Sequence, residues 1–285
     1  MKDNTRDLEA VRSLFLKPEF EMLPFHSAMD QIEFLPDAAT VTITASPAKG
    51  IEATLEYATM LAKRGFDVVP HIAARSIADE THLSRILDTI AEADIRRIFV
   101  IGGDAKEAGE FPDALSLIQA IEGLDYPLPE IGIAAYPNGH PFIPDDVLRQ
   151  ALKNKQPHAS YMTTQMCFDP IIISDWIADV RSDGITLPIH IGMPGVAPVR
   201  KLISIAAQIG VGDSVRFLSR HRGLLGRLTR GSTYAPDRLA NGLSEVIADP
   251  EANIGVVHLY TFNQVESSEA WRQDWLAAID GWGTE

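Results

Sequence analysis

Short β-branched and apolar runs alternate with longer segments of helical spacing along nearly the whole chain, and no other feature limits its possible folds as strongly. The runs fall at 20–23, 40–44, 67–72, 97–101, 131–135, 161–164, 188–191 and 254–260. Between them, 51–64, 78–93, 113–121, 144–154, 170–181 and 198–208 read as helices. In 78–93, Leu83, Ile86, Leu87 and Ile90 recur on one face. Strands joined through whole helices must pair in parallel. Several runs are continuously apolar, as expected of strands covered on both faces. Eight such units close into a barrel, so the expected fold class is α/β, a single-domain (βα)8 TIM barrel. More than forty residues separate Gly210 from the eighth run, which predicts extra helices between strands 7 and 8. A barrel of this type takes roughly 250 residues. The 285 residues therefore divide into an N-terminal lead, 1–17, and a catalytic barrel, 18–285, with no space for a second catalytic module.

Charge narrows the partners. Asp and Glu number 39 against 25 Lys and Arg, a formal charge of −14, which repels the phosphate backbone of nucleic acids and anionic membrane surfaces. No apolar run approaches the roughly 18 residues of a membrane span. The start MKDNTRDLEA has no apolar signal region, and the lone Cys167 excludes an internal disulfide. The expectation is a cytoplasmic enzyme acting on a small molecule, with homo-oligomer formation through its outer helices left open.

In this architecture chemistry gathers at the carboxyl ends of the strands. The polar residues expected there are Glu21 in the first strand, Thr44 ending the second, His71 ending the third and Asp104 after the fourth. Tyr136 and His140 follow the fifth, Gln165 the sixth, and Tyr260 and Asn263 lie at the eighth. Glu21 sits among Phe20, Met22 and Leu23. Pointing inward, its carboxyl would be desolvated and suited to general-acid chemistry; pointing outward, it would be a solvated strand carboxylate. Gly102, Gly103 and Asp104 form either a close-approach loop for a flat or phosphorylated ligand or an ordinary Gly-Asp turn. No GxGxxG, HExxH or GxSxG motif occurs, so a dinucleotide fingerprint, a zinc site and a serine nucleophile are not expected. His190 and His258 read as hydrogen-bonded barrel histidines. Arg216, Arg220, Arg222, Arg227 and Arg230 cluster before the eighth strand, as an anion site or as a solvated helix face.

The segments FEMLP, TVTITAS, VVPHIAARS, FVIGGD, IAAYPNGHP, TTQMCFD, IGMPGVAP and VVHLYTFNQ follow one another in that order. Together they resemble the methylenetetrahydrofolate reductase family over nearly the whole chain. The resemblance implies a barrel holding FAD at its carboxyl face, with NADH or NADPH as electron donor. It also implies reduction of 5,10-methylenetetrahydrofolate to 5-methyltetrahydrofolate. It implies that Glu21 is the general acid, that Asp104 contacts the pterin and influences the flavin, and that Gln165 contacts folate. Thr44, His71, Gly103, Asp104, Tyr136, His140 and Lys153 fall at flavin-contacting positions. Gln208 stands near the position of a stacking Phe on the shared folate and nicotinamide surface. The chain departs from the family pattern at Gly102 and Gln264, where an Arg is usual, and at Asn138, where an acid is usual. Two alternatives remain open: a flavin-independent reductase in which the nicotinamide donates hydride directly, and a non-catalytic folate-binding barrel partnering a methyltransferase.

Overall fold

The computed structural model describes residues 4–46, 49–124, 126–127, 129–208 and 233–282. Eight parallel strands close into one barrel. They are β1 (Glu19–Met22), β2 (Thr40–Ile43), β3 (Asp67–Ala73), β4 (Arg97–Ile101), β5 (Glu130–Ala135), β6 (Tyr161–Thr164), β7 (Ile189–Pro194) and β10 (Ile254–Tyr260). Around the barrel the order is β1-β10-β7-β6-β5-β4-β3-β2. The expected (βα)8 TIM barrel is therefore present, with each of the eight runs found as a strand. The seventh strand runs three residues beyond its expected end, to Pro194, which carries Gly192 and Met193 into the barrel wall.

The helices follow the apolar periodicity. They are α1 (Asn4–Leu16), α2 (Gly50–Lys63), α3 (Glu80–Glu92), α4 (Ala114–Gly123), α5 (Asp145–Lys155), α6 (Pro170–Ser182) and α7 (Val199–Gln208). Among these, α3, α4 and α6 also carry side-chain caps. Leu83, Ile86, Leu87 and Ile90 of α3 are all buried, and Asp79 caps its first turn by accepting from the His82 N–H at 2.8 Å. Asp113 and Ser116 form a reciprocal capping box on α4.

The connection from β7 to β10 carries more than one helix, as expected. After α7 come α8 (Asp237–Gly242) and α9 (Ser244–Ala248), with β8 (Ala197–Pro198) and β9 (Thr233–Tyr234) paired as a two-stranded antiparallel ribbon. The arginine cluster from Arg216 to Arg230 lies outside the described residues.

The lead is part of the packing. Phe15 of α1 is fully buried, with its ring centroid 4.4 Å from that of Trp275 and 5.9 Å from that of Trp271 on α10 (Val265–Trp282). Arg272 Nη1 donates to the Phe15 carbonyl at 2.7 Å.

Strand residues alternate between two environments. On β1, Phe20 and Met22 join the large apolar layer between strands and helices, whereas Glu19 and Glu21 turn into the lumen. The lumen also holds a small apolar cluster of Val69, Phe99 and Tyr161. Gly192 makes space in it: a Cβ there would stand 2.1 Å from the Thr164 carbonyl and 2.6 Å from the Tyr260 ring, so only glycine lets the tyrosine cross the lumen. Tyr260 then donates its hydroxyl to the Thr164 carbonyl at 2.8 Å.

Candidate active site at the barrel mouth

β1 is the shortest route from sequence to chemistry. Its end is held in place by the loop after β10: Thr261 Oγ1 donates to the Glu21 carbonyl at 2.5 Å. The buried Asn263 accepts from the Leu23 N–H at 2.9 Å and donates to the Leu23 carbonyl at 3.2 Å. Thr44 N–H donates to the Met22 carbonyl at 3.0 Å, tying β1 to the end of β2. Backbone bonds from both neighbours therefore fix the direction in which Glu21 projects.

Glu21 points into the lumen, its side chain 15% exposed. Two imidazoles meet the same carboxylate oxygen. His258 Nε2 lies 3.3 Å from Glu21 Oε2, and His71 Nε2 lies 3.9 Å from it. Their surroundings push the two rings' pKa values in opposite directions. Burial holds His71 neutral, with its pKa pushed down to about 4 despite the attraction of Glu21. Burial also works against a charge on His258. There, however, the ring's hydrogen bonds to Glu19 and Glu21 and the charges of both outweigh it, and the pKa is pushed up to about 9.

Glu19, two residues before Glu21 and therefore on the same face of β1, forms the layer beneath. Its carboxylate is 2% exposed and faces His258 Nδ1 at 3.0 Å, His190 Nδ1 at 3.1 Å and Arg97 Nη1 at 3.2 Å. Arg97 also pairs closely with Asp67. Burial alone would raise the Glu19 pKa, but the hydrogen bonds and charges of His190 and His258 hold the carboxyl well below the usual range. Tyr161 stacks on His190 with ring centroids 4.1 Å apart, completing the layer.

The other sequence-singled residues stand at successive strand ends. Thr44 follows β2, His71 lies in β3, Gly103 and Asp104 follow β4, Tyr136 and His140 follow β5, and Gln165 follows β6. Gly103 has φ +84, and a Cβ on it would stand 2.9 Å from that of Ala73, so the loop's close approach to β3 requires glycine. Asp104 is exposed beyond this turn, and its charge acts on both Tyr136 and His140. Tyr136 and His140 meet edge to face at 5.3 Å. Burial raises the Tyr136 pKa, with Asp104 adding to it, and lowers that of His140. Gln165 folds back, its Oε1 accepting from the Met166 N–H at 2.8 Å. Gln208 ends α7, and its side chain lies outside the described residues.

Lys153 does not join this group. Its ammonium pairs with Asp183 at the C-cap of α6, 3.3 Å away, beside the Arg149–Asp183 pair at 2.7 Å. Two helical residues turn the direction by about 200°, and it is Lys155 that lines the neighbouring cavity. This cavity of about 560 Å³ runs between α5 and α6 and also includes Tyr136, His140 and Trp176. Burial pushes the Lys155 ammonium down to about 8.

Four buried side-chain polar atoms among the described residues lack a hydrogen-bond partner: Thr42 Oγ1, Thr44 Oγ1, His71 Nε2 and Trp271 Nε1. The first three belong to the β2 and β3 sector of the lumen beside Glu21. Buried polar groups are ordinarily satisfied, so this sector is built to meet a polar ligand.

Sequence reasoning set His258 aside as structural and passed over Glu19, Thr261 and Lys155. The first two were open to detection: Glu19 and Glu21 share a strand face by their spacing, and a histidine on the adjoining strand would meet them there.

The Methylenetetrahydrofolate reductase family model matches residues 18–271. Among solved structures, the chain is similar to the C-terminal domain of a protein assigned as a chitinase from Desulfitobacterium hafniense DCB-2. That match has 12% identity and a TM-score of 0.55, covering 91% of this chain and 99% of the other. It is also similar to a plant class V chitinase mutant from Cycas revoluta in complex with (GlcNAc)3, with 9% identity and a TM-score of 0.52, covering 93% and 100%. At such identities these two likenesses concern the barrel fold alone.

Proposed function

The chain belongs to the methylenetetrahydrofolate reductase family, and from this premise we propose that it is a flavin-dependent reductase. It would convert 5,10-methylenetetrahydrofolate to 5-methyltetrahydrofolate with NADH or NADPH as donor. The observation that carries the reading is the inward carboxyl of Glu21, backed by His258 and set beside unpartnered polar atoms of Thr44 and His71.

The residues present fit FAD. Thr44 Oγ1 and His71 Nε2 are free to hydrogen-bond to a polar ring edge, and Gly103 lets a flat group approach the β4 loop. Tyr136, His140 and Lys155 line a cavity large enough for an extended part of a cofactor; of its two lining cations, Arg149 is paired with Asp179 and Asp183, and Lys155 is the one offered toward phosphate among the lining carboxylates Asp145, Asp175 and Asp179. Bound there, the flavin supplies a two-electron store between nicotinamide and folate. Lys153, paired with Asp183, is not offered as a contact.

Glu21 protonates an amine nitrogen of the folate's five-membered ring, which opens the ring and leaves an iminium carbon able to accept hydride. Asp104, at the mouth and exposed, is placed to accept hydrogen bonds from the amino and ring N–H groups of a pterin. Gln165 presents an amide at the end of β6 with its NH2 group available to folate. Gln208 remains a proposed folate-surface residue on the strength of the resemblance.

The test is spectroscopic. Purified protein should carry a yellow chromophore, bleach with NADH or NADPH under anaerobic conditions, and recover colour with methylenetetrahydrofolate. Glu21→Gln should abolish the recovery while leaving folate affinity within about twofold. Folate turnover without bound flavin would favour direct hydride transfer from nicotinamide. Folate binding without turnover would favour a carrier.

A further inference from the structure

His258 faces a carboxylate oxygen through each ring nitrogen, Glu19 Oε2 at Nδ1 and Glu21 Oε2 at Nε2. A neutral imidazole has only one N–H, so it could donate to one of them and would present a lone pair to the other. Both contacts are satisfied only if the assembly contains one proton more than a neutral ring between two carboxylates. That proton sits either on Nε2 or on Glu21 Oε2. We infer that His258 is a positioning residue that keeps this proton shared with Glu21, so that Glu21 meets its substrate already charged as an acid. The inference rests on the reductase reading for its substrate and on geometry alone for the shared proton.

The surroundings favour keeping the proton in the lumen. From β1, the carboxyl groups of Glu19 and Glu21 are the ones that meet the ring, at 3.0 and 3.3 Å. From β3, His71 is neutral and Asp67 is engaged by Arg97, which reaches in from β4. From β6 and β7, Tyr161 stacks on His190, which faces Glu19. On β10 itself, Tyr260 meets the ring at 4.9 Å and its hydroxyl is committed to the Thr164 carbonyl. None of these groups supplies a second acid directly to Glu21. The Glu19 anion, fixed by Arg97 and His190, is what makes a cationic imidazole tolerable at this depth.

The steps balance without a further reagent. The Glu21 O–H bond breaks as the substrate N–H bond forms, leaving a carboxylate. Because this is the one proton that Glu21 and His258 share, its loss leaves the Glu21 carboxylate facing a neutral ring, which keeps its Nδ1–H donated to Glu19. After product leaves, the ring regains a proton from water at the mouth.

The experiment is a histidine-labelled NMR titration of the whole protein, paired with pH profiles of turnover. The His258 resonance should titrate near pH 9 in the native chain and at least one pH unit lower in Glu19→Gln. The basic limb of kcat should move down with it, while KM for folate stays within about twofold. Glu19→Asp should restore part of both shifts, which a merely structural role for Glu19 would not do. His258→Gln should lower kcat by about a hundredfold, within the usual range for acid–base assistance. Ordinary titration of His258 near 6.5, or no response to Glu19→Gln, overturns the inference even if turnover is intact. No turnover with either nicotinamide, alongside a ring that titrates as expected, overturns the reductase reading and leaves the shared proton standing.

Discussion

His258 couples folding to pH in a way that can be worked out before measurement. Its ring is buried, and its pKa rises from 6.5 to about 9 on folding. Each unit of such a shift is worth roughly 1.4 kcal/mol, so the group contributes about 3 kcal/mol to stability. The sign follows from the folded value lying above the unfolded one. The contribution is complete below pH 6.5 and drains away as pH rises through about 9. Lys155 works the other way: its pKa falls from 10.5 to about 8, so its burial penalty is relieved as pH climbs above 8. Subtracting a variant cancels that and the other groups that His258 does not touch; of those it does touch, Glu19 titrates well below pH 6. Native chain and His258→Gln should be unfolded in urea at pH 6 and pH 9.5, followed by the fluorescence of the four tryptophans. The stability difference should be about 3 kcal/mol larger at pH 6 than at pH 9.5. A difference constant within about 0.5 kcal/mol across that window would refute the imidazolium and the reasoning built on it.

Other perturbations test separate parts of the molecule. Lys155→Ala should weaken FAD binding by about tenfold in a fluorescence titration, whereas Lys153→Ala should stay within twofold; the reverse order would remove the α5–α6 cavity from the flavin site. Gly192→Ala forces a methyl to 2.1 Å from the Thr164 carbonyl and should cost about 1–3 kcal/mol or more in thermal or urea unfolding. Phe15→Ala empties a fully buried site against Trp271 and Trp275 and should cost about 3–5 kcal/mol. A loss below 1 kcal/mol would show that α1 is an accessory to the barrel and not part of its fold.

The barrel was legible because its signal is periodic and repeated. A run such as 98–101 is apolar without alternation, and the helix after it is bounded by an Asp113 cap, so neither element depends on distant contacts for its identity. The strand ends were legible for the same reason, since β/α order alone places Thr44, His71, Asp104 and Gln165 at the carboxyl face. What failed to show was direction. Lys153 and Lys155 are equivalent in composition and separated by about 200° of helical rotation, and only the packing of α5 on α6 decides which faces the cavity. The packing of α1 was hidden similarly: Val11 and Phe15 are four apart, a helical spacing, but the aromatic partners of Phe15, Trp271 and Trp275, lie at the far end of the chain.

Glu19 shows why a buried charge can be present without being explained by stability. Its carboxylate, Arg97 and two histidines fill a layer that TIM barrels commonly build from branched aliphatic side chains. Replacing such a network by well-packed apolar residues is often neutral or stabilising, whereas deleting one partner is costly because the others are left buried and uncompensated. Stability therefore gives no reason to retain the group, although it punishes its piecemeal loss. Its position supplies a reason: the anion lies one strand step below Glu21, on the same lumen face, and reaches it through a single imidazole. An apolar layer at that depth would leave His258 with one carboxylate instead of two, and the ring would lose the anchor on Nδ1 that orients Nε2 toward the mouth.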